Sequence, residues 1–237
     1  MDFGPSASDY ARHRQGFPPS LFDRVPLLGE VLDLGAGTGT LARGYAQRGA
    51  RVVALDISPR MLQEASDLTD RVAARAEACP FRDASFDAIT AGQCWHWFDG
   101  PRVAAECRRL LRPGGTLVIA HLNYLPLAGS AAEVSEALLL ERNPTWTMAG
   151  VTHMAGRWDA VIRAAGLQGL SSFAYEIEVE YRQAAWVGRM RACNGVLPLG
   201  EAAAAEYGAA LSRTLRERFP DPLLVRHEVF ALVARAP

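Results

Sequence analysis

Glu30-Val31-Leu32-Asp33-Leu34-Gly35-Ala36-Gly37-Thr38-Gly39-Thr40 runs from an apolar stretch into a glycine-rich loop and on into a helical pattern. Glycine has no Cβ and tolerates positive φ, so three glycines in five residues let main-chain N–H groups close around a ligand. Dinucleotide sites use the spacing G-x-G-x-x-G after an apolar strand end. Here the spacing is G-x-G-x-G, and Asp33 stands two residues before the first glycine. An acid there would repel a pyrophosphate and suits the ammonium group of an amino-acid-like ligand. The stretch therefore predicts a strand, a loop and a helix, with Gly35, Ala36, Gly37 and Thr38 against a ligand that has a cationic end.

Arg51-Val52-Val53-Ala54-Leu55-Asp56-Ile57-Ser58 reads as a second buried strand ending in a carboxylate. An acid at that strand end can accept bonds from both hydroxyls of an adenosine ribose. With these two stretches on the page, the chain resembles the class I S-adenosylmethionine-dependent methyltransferases. Asp33-Leu34-Gly35-Ala36-Gly37-Thr38-Gly39 is similar to their first motif and Leu55-Asp56-Ile57-Ser58 to their second. The likeness continues through Ala76-Glu77-Ala78-Cys79-Pro80-Phe81-Arg82-Asp83-Ala84-Ser85-Phe86-Asp87, Gln93-Cys94-Trp95-His96-Trp97-Phe98-Asp99 and Arg109-Leu110-Leu111-Arg112-Pro113-Gly114-Gly115-Thr116.

The resemblance implies S-adenosylmethionine as cofactor and methyl transfer to a small-molecule acceptor. Asp33, Gly35, Ala36, Gly37, Thr38, Asp56 and Ile57 would hold the cofactor, and Gln93 and Trp95 would approach it from the end of the fourth strand. Many family members place an acid directly before the alanine of the third motif, against adenine; here that place holds Arg75. The adenine contacts are therefore expected from the Ala76 backbone and from Glu77.

Composition narrows the alternatives. The 237 residues, 49% of them apolar, suit one α/β unit with an appended cap. A formal net charge of −1 gives no field that would draw in nucleic acid or an anionic membrane. All 25 basic residues are Arg; with no Lys, a pyridoxal phosphate Schiff base and a phosphate-loop lysine are excluded. Cys79, Cys94, Cys107 and Cys193 are widely spaced and read as reduced thiols, with no metal-ligand pattern. No basic leader followed by an apolar run opens the chain, and no membrane-spanning apolar run occurs, so a soluble cytoplasmic protein, monomer or homodimer, is expected.

Residues 1–24 form an amphipathic stretch broken by Pro18-Pro19, read either as a surface helix or as a lid that folds Tyr10 and Arg14 over the cofactor's methionine end. A helix over 41–48 follows the glycine loop and stops at Gly49. Ser58 and Pro59 open the next helix, on which Met61 faces either the cofactor or the core. A weak edge strand over 71–75 precedes strand four at 87–91. The segment Gln93–Asp99 leaves that strand at the carboxyl edge of the sheet, where open parallel sheets bind ligands. Its tryptophans serve either as wedges under the next helix or as walls of a site, and His96 is the candidate general base, with His121 and His153 weaker ones. A metal reading of Cys94 and His96 lacks further ligands.

A helix over 103–111 and an apolar run at 116–120 supply a central fifth strand. Residues 121–166 are too long for a simple crossover and read as a cap insertion, with a helix over 133–140 and a break at Asn143-Pro144-Thr145-Trp146. A helix at 158–165 and a half-wet strand at 173–181 follow. A second cap insertion at 182–226 leads to the last strand, 228–234, antiparallel by resemblance. The expectation is a Rossmann-like, doubly wound, seven-stranded sheet with helical cap insertions in a single domain: lid 1–24, cofactor-binding core 25–120, caps 121–166 and 182–226.

Trp97, His121, Tyr124 and Trp146 are expected in an aromatic acceptor pocket, together with Tyr10 and Trp95. Arg189 and Arg191 lie two positions apart, about 200° on a helix, so only one can face inward; Arg191 is expected to, as the anchor of an acidic acceptor. The runs Ala91-Gly92-Gln93-Cys94-Trp95-His96-Trp97-Phe98-Asp99, Asn143-Pro144-Thr145-Trp146 and Gly188-Arg189-Met190-Arg191-Ala192 further resemble a bacterial subgroup of methyltransferase-domain proteins. The competing reading is a catalytically silent module that binds S-adenosylmethionine or another adenosine ligand, or a scaffold subunit that kept the cofactor fold.

Overall fold

Val31, Leu32, Asp33 and Leu34 are all buried in β1 (Glu30–Leu34), an interior strand of the sheet. A computed structural model of the chain describes residues 12–13, 15–151 and 153–237. β1 pairs in parallel with β2 (Arg51–Asp56) on one side and β4 (Phe86–Gly92) on the other. With β3 (Asp70–Ala73), β5 (Leu111–Tyr124), β6 (Gln168–Tyr181) and β7 (Leu223–Arg235), the strand order is β3-β2-β1-β4-β5-β7-β6. β7 runs antiparallel to both of its neighbours. The order reverses between β1 and β4, which opens a crevice beyond their carboxyl ends.

Alternation along the strands divides the core. Leu32, Leu34, Leu55, Ile89 and Phe230 pack on one face beneath α4 (Gly100–Leu110) and α6 (Asp159–Ala164). Val31, Val52, Ala54, Val118 and Val229 pack on the other, beneath α1 (Pro19–Arg24) and α2 (Thr40–Ala46). α3 (Pro59–Glu64) begins after Ser58 with Pro59 in its first turn. Gly44 of α2 leaves room for the Phe22 ring of α1, which meets Tyr45 edge-on at 4.9 Å.

A third core cluster lies under the segments that follow β5 and β6. α5 (Ala131–Leu140), α7 (Gln183–Arg191) and α8 (Glu201–Arg218) bury Leu139, Trp186, Met190, Tyr207, Leu211 and Leu215 together. Ser130 caps α5 by accepting from the Glu133 N–H at 3.1 Å. β6 ends and β7 begins at the edge of the sheet where β5 ends, because Tyr181 pairs with Leu223 and Tyr124 with His227. The pieces between them therefore stand over the carboxyl ends of the parallel strands.

The strands of the antiparallel half are longer than expected. β5, β6 and β7 hold 14, 14 and 13 residues, where the apolar runs predict five, nine and seven. Backbone pairing carries them past the apolar runs, since an antiparallel ladder tolerates polar residues on a solvated face. No helix among the described residues is long and apolar enough to cross a membrane.

Candidate active site

A cavity of about 300 Å³ lies where the carboxyl ends of β1, β2, β4 and β5 meet residues 121–158 and α7. Its floor is the glycine loop. Gly35, Gly37 and Gly39 hold φ of 59°, 57° and 81°, a region that L side chains avoid. A Cβ on Gly35 would also stand 2.9 Å from Cys94 and 3.0 Å from Phe98, so both the turn and the space require glycine there. The loop is fastened to the end of β2: the Ala36 N–H donates to the Leu55 carbonyl at 2.9 Å and the Gly37 N–H to Asp56 Oδ2 at 2.8 Å. The other oxygen, Asp56 Oδ1, accepts from the Ser58 N–H at 2.8 Å. Asp56 is thereby held at the cavity wall beside Ile57 and Met61.

Asp33 does not reach the cavity. The pleat of β1 turns it to the same face as Val31, beneath α2, where its Oδ1 accepts from Thr90 Oγ1 at 2.6 Å and its Oδ2 from the Ala42 N–H at 3.1 Å. It is 1% exposed, and burial raises its pKa to about 7 although the Thr90 and Ala42 bonds oppose the shift. Its role in this structure is to bind the start of α2 to the sheet. Ala36 and Thr38 line a smaller recess of about 40 Å³ on the other side of the loop, together with Gln15, Phe17, Tyr181 and His227.

Ala76 and Glu77 line the cavity next to Ile57 and Met61. Met61 is both buried and a wall of the cavity. Glu77 accepts from the Asp99 N–H at 3.2 Å and pairs with Arg75 at 3.4 Å. Arg75 is thus turned toward Glu77. Gln93, at φ 62°, ties the end of β4 to β5 by donating from its amide to the Leu122 carbonyl.

The next residues separate. Trp95 is 1% exposed and packs in the core edge-on to Phe98, because the short 3-10 turn Trp95–Trp97 folds it back under the sheet edge. Trp95 thus takes its packing reading, inside the core cluster, and does not line the cavity. The same turn sends His96 and Trp97 into the cavity, with ring centroids 4.6 Å apart. The His96 ring lies 5.6 Å from that of His121, which is buried and stacks on Trp158 at 5.1 Å. His153 does not line the cavity; it bonds Glu228 at 2.8 Å on the outer surface.

The far end of the cavity is built by the cap. Tyr124 donates to Glu136 Oε1 at 2.8 Å, and the Gly150 N–H donates to Glu136 Oε2 at the same distance. Burial raises the Glu136 pKa and pushes the Tyr124 phenol well above its usual range. Trp146 is oriented by its Nε1 bond to Asn194 Oδ1 at 3.0 Å and lies flush on Gly195, where a Cβ would come within 2.7 Å of the indole. Met148, Val151 and Met154 complete an apolar wall.

One arginine of α7 faces inward, and it is Arg189. Arg189 is 5% exposed and holds its guanidinium 4.5 Å over the Tyr124 ring and 5.2 Å from that of Trp186. Arg191 is exposed and rests against Gly208 of α8, so its assignment to the acceptor pocket is overturned. Tyr10 and Arg14 fall outside the described residues. Glu136, Asn194 and the methionines at 148 and 154 have no mark in the sequence; Arg189 had one, since it lies three positions after the buried Trp186.

Residues 32–119 match the family described as methyltransferase domain. The chain is 42% identical over 122 residues to an uncharacterized methyltransferase of Mycobacterium tuberculosis, covering 49% of this chain and 50% of that protein. It is 40% identical over 119 residues to the demethylmenaquinone methyltransferase of Renibacterium salmoninarum, covering 48% and 49%. The chain spans about half the length of the curated relatives it matches. Over nearly the whole chain the fold is that of a solved structure from Anaeromyxobacter dehalogenans described as a type II methyltransferase, with TM-score 0.69, 24% identity and coverage of 94% of this chain and 99% of that one.

Proposed function

We propose that this chain, by family a class I S-adenosylmethionine-dependent methyltransferase, moves a methyl group to an oxygen, nitrogen or carbon of a small apolar or aromatic acceptor. The observation that carries the reading is the continuity of one cavity from the Asp56-fastened glycine loop to an aromatic chamber. The residues fit the cofactor. Gly35 and Gly37 bring backbone close to the cavity without a Cβ, and Asp56 offers a carboxylate to ribose hydroxyls. Ile57, Met61, Ala76 and Glu77 would face the adenine, and Gln93 lines the same cavity.

When bound, the cofactor supplies a methyl already activated on a sulfonium, so the chain's own work is orientation, exclusion of water and movement of a proton. Trp97, Trp146, Met148, Val151 and Met154 enclose an acceptor on its apolar faces. Holding two reactants in line at contact distance is worth about 7–11 kcal/mol of the barrier. His96, at the cavity wall between the loop and the chamber, takes the acceptor's proton where the nucleophile carries one. His121 forms the wall beside it, held in place by its stack on Trp158.

Isothermal titration with S-adenosylmethionine, S-adenosylhomocysteine and NAD tests the first half of the reading. The first two are expected to bind and NAD is not; NAD binding alone would overturn it. Release of S-adenosylhomocysteine over a panel of phenols, amines and aromatic acids tests the second half. Binding without transfer to any acceptor would instead mark a catalytically silent module.

A further inference from the structure

The cap carries one charge whose purpose the methyl-transfer reading leaves unassigned. Arg189 brings a guanidinium, a planar fork of five N–H donors, and it is nine-tenths buried at the wall of an otherwise apolar and aromatic chamber. Its guanidinium lies over the face of Tyr124 and near Trp186, contacts that suit a cation but satisfy none of its five N–H donors with an oxygen. Its one polar neighbour within bonding distance among the described residues is the Met190 sulfur at 3.9 Å, a weak acceptor. No carboxylate of the described residues lies within ion-pair distance of it.

The acid that feels its charge, Glu136, is committed elsewhere. Glu136 spends its two oxygens on the Tyr124 hydroxyl and the Gly150 N–H. Burial also raises its pKa, with Arg189 acting only as a weaker opposing influence. Trp146, whose indole N–H is taken by Asn194, presents a face rather than a donor. A buried guanidinium with its planar fork unfilled is a seat for an oxyanion, and a carboxylate matches the fork with two parallel bonds.

Resting on the reading of this chamber as the acceptor site, we infer that the acceptor is an apolar or aromatic carboxylic acid, anchored by Arg189 while its body lies against Trp97, Trp146 and Met148. Arg189 also borders the smaller recess next to the glycine loop. A carboxylate could therefore come from the acceptor or from the amino-acid end of the cofactor. The stack on Tyr124, a residue of the chamber and not of the recess, favours the acceptor.

Calorimetric titration of the intact protein saturated with S-adenosylhomocysteine tests the inference, with benzoate, cinnamate and 2-naphthoate each compared with its amide. At least one acid is expected to bind about tenfold or more tightly than its amide to the wild type, and Arg189→Met is expected to abolish that preference. Arg189→Lys should restore part of it. If no acid exceeds its amide, or if the preference survives in Arg189→Met, the inference is overturned without any help from a variant's folding. If Arg189→Met weakens S-adenosylhomocysteine about tenfold and leaves 5′-methylthioadenosine unchanged, the guanidinium serves the cofactor's carboxylate and the inference is again overturned. Failure of the wild type to bind S-adenosylhomocysteine would strike the methyl-transfer reading itself.

Discussion

Asp56 accepts the backbone N–H of Gly37 at 2.8 Å, so the acid at the end of the second strand also sets the shape of the loop at the end of the first. The carboxylate acts as a clamp as well as a ligand-facing group. Asp56→Ala is expected to weaken S-adenosylhomocysteine binding by at least about tenfold, because charge-assisted bonds contribute about 1.5–3 kcal/mol each. It should also lower the thermal midpoint of the ligand-free protein, since the N–H groups of Gly37 and Ser58 both lose their acceptor. Calorimetry and a thermal scan check the two effects separately. An unchanged dissociation constant would remove Asp56 from the site.

Asp33 gives the protein a pH dependence of known sign. Its native pKa is about 7, against 3.8 for the unconstrained carboxylate, with burial the main cause. The native state therefore holds a proton that the unfolded chain releases. The stability this group contributes is complete below about pH 4 and is lost as pH rises toward 7. Thermal unfolding of the ligand-free wild type at intervals from pH 5 to pH 8 should show a falling midpoint. Asp33→Asn, whose amide can still serve Ala42 and Thr90, should show a flatter profile; equal slopes would refute the assignment.

Gly44→Ala should destabilise the protein although alanine is the better helix former by about 1 kcal/mol. The added Cβ would run into the Phe22 ring, which is already fixed by Tyr45 on one side and by Arg48 at 4.5 Å on another. Overpacking of this kind costs about 1–3 kcal/mol. Urea unfolding of the two proteins decides it, and a gain in stability would mean that α1 yields more easily than its packing indicates.

His96→Gln separates proton transfer from binding. Turnover with an acceptor that carries a transferable proton should fall by about 10²–10⁴-fold, while S-adenosylhomocysteine affinity stays within about twofold. The pH profile should lose its imidazole limb. Retained turnover with an unaltered profile would show that the acceptor needs no base from this residue.

The sheet could be read from the sequence because β1, β2 and β4 are largely buried and read as apolar runs, while the exposed edge strand β3 gives only a weak signal. The antiparallel half could be read only in part: Gln168 to Ser172 owe their pairing to the neighbouring backbone, whereas Leu223 and Val225 alternate with exposed neighbours over a stretch too short to announce a strand and bury in the third core cluster. At the site, the departures at Asp33 and Arg191 have physical causes that the sequence already contained. Asp33 follows Val31 by two, so the pleat must send both toward α2. Arg189 follows Trp186 by three, so a helix that buries the indole draws Arg189 inward and leaves Arg191 beside Gly208. Trp95 and Trp97 differ in fate because a single 3-10 turn points neighbouring side chains in opposed directions, which no periodicity over three residues can announce. Glu136 shares its helix with the exposed Glu133, so nothing in the pattern marks it as the buried acid, and its partner Gly150 comes from a loop without regular structure.

The family match ends at residue 119, one turn of strand before His121 enters the cavity. The wall made by Asp56, Ile57, Ala76 and Gln93 lies inside the matched stretch, and the wall made by Tyr124, Glu136, Trp146 and Arg189 lies wholly outside it. The two halves of one cavity are therefore encoded by separate lengths of gene. On the proposed reading the distal length supplies most of the acceptor chamber, and His96 and Trp97 are what the matched length adds to it.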